Sequence, residues 1–474
     1  MASFSMVSGA ERMGSILRFH PSPKSLRSSR PVAHSVSFTP PRSQVDLRYQ
    51  VEKSMYKYEL EAAIEVVERA CRLCISVQEG FKLEEENSGL KMEFEKSDAS
   101  PVTVADLGVQ ALVTLELGHL FPSIPLMGEE DSRQLREDLN NFQKKPHSMQ
   151  DQPLVEIVTR AVANVASTTV KSVTAESILN ALDRGVKSVT ATDATKISYW
   201  ILDPIDGTRG FLRGGDALYV VGLALVVDGE VVLGVMGCPN VQFKYSDKCA
   251  SGAAFSLEMA MSQQSSKGNP AECCETVKPP SPRGFQSGLL MAASSGCGCW
   301  VRVLSRKAVV PDREDSRHGY FKDMIESKVD GSKSTKDAVF CLSDNEEWRT
   351  LPLAQALASI PSNEERLSEY EAQVVSLCCG SLCKYFALAL GGASVFVQHV
   401  PNAIQVKVWD HAAGVICVQE AGGKVTDFEG SSLQKMLGNG QDMLSPRGGG
   451  IVASNGTLHQ LLLTSLSPSR MSFR

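Results

Sequence analysis

An α/β (α+β) fold is what the residue pattern predicts, because helical and strand periodicities alternate from one end of the chain to the other. Leu60, Ile64, Val67, Cys71 and Cys74 recur at spacings of four and three, the core stripe of a helix. Two apolar runs, 217–227 and 231–238, flank Asp228-Gly229-Glu230, a hairpin signal. Residues 379–392 read as a helix closed by glycine, and 394–400 as the strand that follows it. At 474 residues, 43% apolar and 22% charged, the chain has material for more than one core and the composition of an ordinary globular protein.

Taken in order, residues 1–45 stand apart. They hold Arg12, Arg18, Lys24, Arg27, Arg30 and Arg42, many serines and the single acid Glu11. That composition predicts an organellar transit peptide, with the extension reaching about residue 50. Arg12, Ile16, Leu17, Arg18 and Phe19 can form a small basic amphipathic helix, which favours a mitochondrial over a plastid destination. Without this segment the chain is more acidic than its overall net charge of −6. No basic patch with interleaved aromatics follows it, so a nucleic-acid binder is not expected. Nor does any run approach the roughly 18 apolar residues of a membrane span. The thirteen cysteines are odd in number and irregularly spaced, which predicts reduced thiols. Cys71 and Cys74 lie on the helical stripe and are assigned to the core, as are Cys378, Cys379 and Cys383.

The first helix is expected over 55–81 and a second over Val104–Leu120, with Asp106 in its first turn, where a carboxylate also suits the helix dipole. A short extended piece, Ile124-Pro125-Leu126-Met127, leads to Glu129 and Glu130, of which only one can face a common centre. Residues 133–197 read mainly as helix, with a loop at 187–195. A strand opening at Trp200 ends in the turn Asp203-Pro204-Ile205-Asp206-Gly207-Thr208. The aperiodic stretch 246–284 reads as a surface insertion, with a strand at 285–294 beyond it and a loop at 312–322. Two subdomains are expected, 51–284 and 285–470. Ser381 and Lys384 share a helix face. Asp410 occupies an N-cap position, and a strand at 450–453 and a helix at 458–466 close the chain.

Each acidic position has a structural reading beside a chemical one. Asp203 and Asp206 are either parts of a polar turn or ligands for a hard cation such as Mg²⁺. Asp106 and Asp410 can serve as helix-terminal carboxylates, and Glu129 as a solvated turn acid. Their order along the chain is more specific than any one of them. Ser100-Pro101-Val102-Thr103-x-x-Asp106, Gly128-Glu129-Glu130, Asp203-Pro204-Ile205-Asp206-Gly207-Thr208 and Trp409-Asp410-His411-Ala412-Ala413-Gly414 together resemble the inositol monophosphatase superfamily of metal-dependent phosphatases over about residues 55–465. Arg209-Gly210-Phe211 and Gly380-Ser381-x-x-Lys384-Tyr385 are similar to its 3'(2'),5'-bisphosphate nucleotidase branch, of plant organellar type.

The resemblance implies a layered α-β-α-β-α sandwich with the active site between two subdomains. It implies two or three Mg²⁺ ions: one on Glu129, Asp203 and the carbonyl of Ile205, a second on Asp203, Asp206 and Asp410, and a looser third near Asp106 and Glu129. Asp106 with Thr208 would activate water, and Gly207, Thr208, Ser381, Lys384, Gln398 and Asp410 would contact substrate. The implied activity is hydrolysis of the 3'-phosphate of adenosine 3',5'-bisphosphate, or of a sulfated relative, to AMP-type products; the sequence leaves the oligomeric state open, with a monomer favoured. An inositol phosphate phosphatase with the same metals and a non-catalytic nucleotide-binding protein are the alternatives. Two departures bear on substrate: Gln398 stands where the branch has an arginine, and Cys341-Leu342-Ser343-Asp344 occupies the place of a His-Ser-Ser-His-like segment.

Overall fold

Helices on each side of two sheets order the chain into five layers. A computed structural model describes residues 35–37, 54–85, 93–95, 101–144, 152–170, 172–185, 198–215, 217–244, 256–258, 285–305, 321, 324–343, 373–377, 380–400 and 405–466. The first layer is built on helices Lys57–Glu85 and Val104–Leu120, joined by Leu154–Ala163 and Ala175–Asp183. Beneath it lies a seven-stranded sheet in the order Ile325–Ser327, Gly298–Val303, Phe285–Ser294, Glu230–Lys244, Val220–Val227, Tyr199–Asp206, Leu126–Gly128. Its neighbours are antiparallel except the last pair, which is parallel.

Helices Ser381–Ala389 and Ala412–Glu420 form the middle layer. Then comes a five-stranded mixed sheet, Gln373–Leu377, Val339–Ser343, Val395–His399, Gly450–Ser454, Lys424–Asp427, with helix His459–Ser465 on its far side.

Alternation along the strands feeds three cores. From strand Tyr199–Asp206, Trp200 and Leu202 face the outer helices, where Ile64, Cys71 and Leu107 are buried. Tyr199 and Ile201 face the middle layer with Leu382, Tyr385 and Ile416. Phe340, Val395 and Val452 leave the second sheet on its other side to meet Leu458, Leu462 and Leu466. Each side chain follows from the period of two in an extended backbone. A strand covered on both faces must be apolar at successive positions, as Tyr199 to Leu202 are.

The hairpin forms at Asp228 and Gly229, but its second strand runs on to Lys244. Its pairing with Phe285–Ser294 is interrupted between Cys238 and Gln242. Pro239 lies in that interval and has no N–H to give the ladder. The first helix likewise continues to Glu85. Cys71, Cys74 and Cys383 are buried and free, while Cys378 and Cys379 lie outside the described residues. Among the described residues no helix is long and apolar enough to cross a membrane.

The subdomain boundary at 284 does not coincide with a break in structure. Phe285–Ser294 hydrogen-bonds to Glu230–Lys244, so the first sheet continues through that point, and the chain changes sheets between Ser327 and Val339. Residues 33–474 form one compact unit. The composition of 246–284 marks an insertion between two paired strands, which is a different thing from a boundary. Within that stretch Ser256–Glu258 pairs with Ser35–Ser37. The rest of it, the expected loop at 187–195, the expected loop at 312–322 apart from Phe321, and the rest of the N-terminal extension lie outside the described residues.

Candidate metal centre

Helix Val104–Leu120 begins with a capping box. Thr103 N–H and Oγ1–H donate to Asp106 Oδ2 at 2.8 and 2.5 Å, and Thr103 Oγ1 accepts from the N–H groups of Ala105 and Asp106. Asp106 is therefore engaged from two sides. One carboxylate oxygen closes the helix end, and the other, Oδ1, lies 3.2 Å from the Thr208 hydroxyl. Asp106 is buried. Thr208 Oγ1 is also 3.1 Å from the carbonyl of Ile205.

Asp203 and Asp206 are three residues apart on strand Tyr199–Asp206, an odd separation that a regular strand would send to opposite faces. The register shifts between them: Asp203 pairs with Gly222 and Asp206 with Val220, three steps on one strand against two on the other. This bulge restores the parity. Each offers a carboxylate oxygen that, with one from Asp410, forms a set all within 4.8 Å of one another. The expected turn after Asp203 is therefore a bulged strand, and the reversal comes at Gly207. Its φ of 85° is in the left-handed region that glycine adopts without a Cβ clash, and helix Thr208–Arg213 follows.

Asp410 is not an N-cap. Helix Ala412–Glu420 starts one residue later, with His411 at its cap, and that cap makes no side-chain hydrogen bond. His411 is buried, its Nδ1 3.0 Å from the Tyr385 hydroxyl, and burial pushes its pKa down to about 3, so the ring is neutral.

The helix that does borrow a cap is Ser381–Ala389. Gly380 precedes it without a capping side chain, and Asp206 supplies one from the other sheet. Its Oδ1 accepts from Ser381 N–H at 3.0 Å and its Oδ2 from Cys383 N–H at 3.1 Å. A Cβ at Gly380 would fall inside contact distance of that carboxylate, and its φ is 65°. Glycine is required there on both counts.

The electrostatics are those of acids crowded out of water. Burial, then the charges of Glu129, Asp206, Asp410 and Asp106, raise the pKa of Asp203 well above the usual carboxylate range. Its Oδ1 is buried without a hydrogen-bond partner among the described residues. Burial pushes Asp206 up to about 6, opposed by Lys384 and by the backbone N–H groups that it accepts. A buried carboxylate oxygen with no donor, facing other carboxylates, fits a hard cation with oxygen ligands.

Glu129 lies outside the tight set, and Lys407 Nζ stands 2.9 Å from its Oε1. Lys384 is buried and donates to the Gly380 carbonyl at 2.5 Å, with its ammonium 5.9 Å from the centre of the Phe396 ring. Ser381 Oγ is 3.4 Å from Gln398 Oε1. Sequence reasoning missed Lys407, whose only signal was its place two residues before the Trp409-Asp410 motif. It quoted Gly380 within a motif but assigned it no role of its own.

Residues 52–470 match the inositol monophosphatase family. The chain belongs to that family. A protein of Arabidopsis thaliana provisionally named a mitochondrial 3'(2'),5'-bisphosphate nucleotidase is 38% identical over 445 residues, 92% of this chain and 96% of its own. A second from the same plant, named 3',5'-bisphosphate nucleotidase AHL, is 31% identical over 87% of this chain and 96% of its own. Among solved structures, the Thermotoga maritima IMPase aligns over 86% of this chain and 96% of its own with a TM-score of 0.44 and 16% identity.

Proposed function

We propose that this protein is a Mg²⁺-dependent phosphomonoesterase that removes the 3'-phosphate from adenosine 3',5'-bisphosphate, or a sulfated relative, to leave an AMP-type product. The observation that carries the reading is the convergence of Asp203, Asp206 and Asp410 on one buried point beside the Asp106–Thr208 pair. The substrate class follows the names of the two plant relatives.

Asp203, Asp206 and Asp410, with Glu129 and the Ile205 carbonyl, are the residues that would hold two or three Mg²⁺ ions. When bound, the cation supplies Lewis-acid polarisation of the phosphoryl group and charge for the leaving oxygen. The chain's own part is proton handling and positioning. Thr208 has one hydroxyl proton and two acceptors in reach, Ile205 O and Asp106 Oδ1. With its proton directed to Asp106, its oxygen lone pairs receive a proton from the attacking water, and Asp106 is the final acceptor. Thr103 holds Asp106 by the other oxygen, so the pair keeps its aim. Ser381, Lys384, Gln398 and Gly207 complete the proposed substrate contacts. Gln398 offers no charge to a second phosphate.

A phosphate-release assay over nucleotide bisphosphates and inositol phosphates, with and without Mg²⁺, tests the reading. Mg²⁺-dependent release from adenosine 3',5'-bisphosphate in preference to inositol phosphates is expected. The reverse preference overturns the substrate assignment, and release without divalent cation overturns the mechanism. The N-terminal composition and the name of the first relative support import into an organelle, the mitochondrion first. Fractionation of cells expressing the tagged chain checks that destination.

A further inference from the structure

We infer that Lys407 is a built-in competitor for the metal: it neutralises Glu129 while the centre is empty of cation and contacts the substrate's phosphate once a cation has taken Glu129. The inference rests on the proposed function and adds to it a residue that no family motif quoted above includes.

Lys384 and Lys407, both beside the acidic cluster, are held very differently. Lys384 is 2% exposed and bonded to a carbonyl of its own helix start, so it is a fixed charge. Lys407 has a side chain 31% exposed, paired at 2.9 Å with a Glu129 side chain that is 14% exposed. Its backbone is anchored: Lys407 pairs with Met443 across a short two-stranded ladder, and the next residue, Val408, donates its N–H to Asp442 O at 2.9 Å. Its ammonium stands 5.8 Å from the centre of the Trp409 ring, one residue before Asp410. An anchored backbone with a partly exposed side chain allows that side chain to turn while its base stays in place.

Glu129 cannot serve the ammonium and a divalent cation equally. A cation near Glu129 both weakens the pair and repels Lys407. The anion that arrives with the cation is the partner that the inference assigns to the displaced ammonium. A lysine is suited to that exchange, being a point charge on a flexible stem, where an arginine fork would hold the carboxylate with two bonds.

The two halves of the inference predict effects of opposite sign, which a merely structural role would not. Calorimetric titration of the purified protein with Mg²⁺ alone reads the first half. Inhibition of phosphate release by inorganic phosphate reads the second. In Lys407→Gln, Mg²⁺ should bind roughly three- to tenfold more tightly, and inorganic phosphate should inhibit roughly three- to tenfold more weakly. Lys407→Arg, which keeps the charge, should bind Mg²⁺ no more tightly than the unsubstituted protein. Mg²⁺ affinity in Lys407→Gln that is unchanged or weaker overturns the inference, as does unchanged inhibition by phosphate. Failure of the unsubstituted protein to bind Mg²⁺ at all overturns the proposed function together with it, and so distinguishes the two.

Discussion

Asp203 and Asp427 are both buried aspartates, at 2% and 0% exposure, yet their surroundings are opposite. Asp427 ends a strand of the second sheet and is saturated with donors. Its Oδ1 accepts from the N–H groups of Glu429 at 3.0 Å and Ser431 at 2.8 Å, and its Oδ2 from Arg447 N–H at 3.2 Å. Asp203 ends the apolar run of a strand in the first sheet, has an oxygen with no donor, and faces four other acids. A carboxylate that the backbone satisfies is holding a turn together. A carboxylate that the fold buries and leaves unsatisfied lowers the stability of the metal-free protein, and a cation is what offsets that cost. The comparison separates acids that the backbone satisfies from those that it leaves unsatisfied, where burial alone does not.

The largest effect should come from Asp203→Asn. Loss of a ligand shared by the proposed ions should lower Mg²⁺-dependent phosphate release by about 10³-fold or more. The same change removes like-charge repulsion, so the Tm measured in EDTA should rise by about a degree, on the order of 1 kcal/mol. A fall in that Tm would break the comparison. Asp427→Ala should behave in the reverse way. With three backbone N–H groups left without their acceptor, stability should drop by about 3 kcal/mol in denaturant titrations, while turnover per folded molecule is unchanged.

Gly380→Ala tests the point at which the two kinds of role meet, since Asp206 both joins the acidic set and caps helix Ser381–Ala389. The left-handed φ and the crowding against Asp206 should cost about 2 kcal/mol of stability and weaken Mg²⁺ binding in the same variant. A stability loss with unaltered Mg²⁺ affinity would show that the cap and the metal site are independent.

The smallest effect sharpens the second-sheet side. His459 is held between Ser454 Oγ at 2.8 Å and Thr426 Oγ1 at 2.9 Å. Burial, helped by the charge of Lys424, pushes its pKa down to about 4 from an ordinary 6.5. The folded state therefore favours the neutral ring. That contribution is complete above about pH 6.5 and is lost as the pH falls toward 4, because the unfolded chain takes up the proton first. At pH 5.5 the unsubstituted protein should have lost about 1 kcal/mol of it. His459→Gln should flatten the dependence of unfolding midpoint on pH over that window.

Much of this molecule was legible in one dimension. The helix Val104–Leu120 follows from its own apolar spacing and from Thr103 and Asp106 at its start, and it begins and ends where the pattern says. The hairpin at Asp228-Gly229 and the buried thiols of Cys71 and Cys74 are likewise local consequences of period and residue type. Four acidic motifs in order sufficed to indicate the family, to which the chain belongs. The sheet boundary was harder to read. Composition marks where a chain is inserted, but pairing between residues 244 and 285 is decided by which strand edges meet.

What the residues by themselves determined is the set of groups: the carboxylates, the hydroxyl of Thr208, and the apolar stripes that bury them. Their periods and caps are short-range, so a sequence carries them directly. Tertiary structure alone decided which carboxylates are satisfied. The bulge between Asp203 and Asp206 turns an odd spacing to one side, Asp206 caps a helix 175 residues away, and Lys407 pairs with Glu129 across 278 residues. Each depends on donors and charges that arrive from distant parts of the chain. The balance between burial and hydrogen bonding at one oxygen is set only when they do.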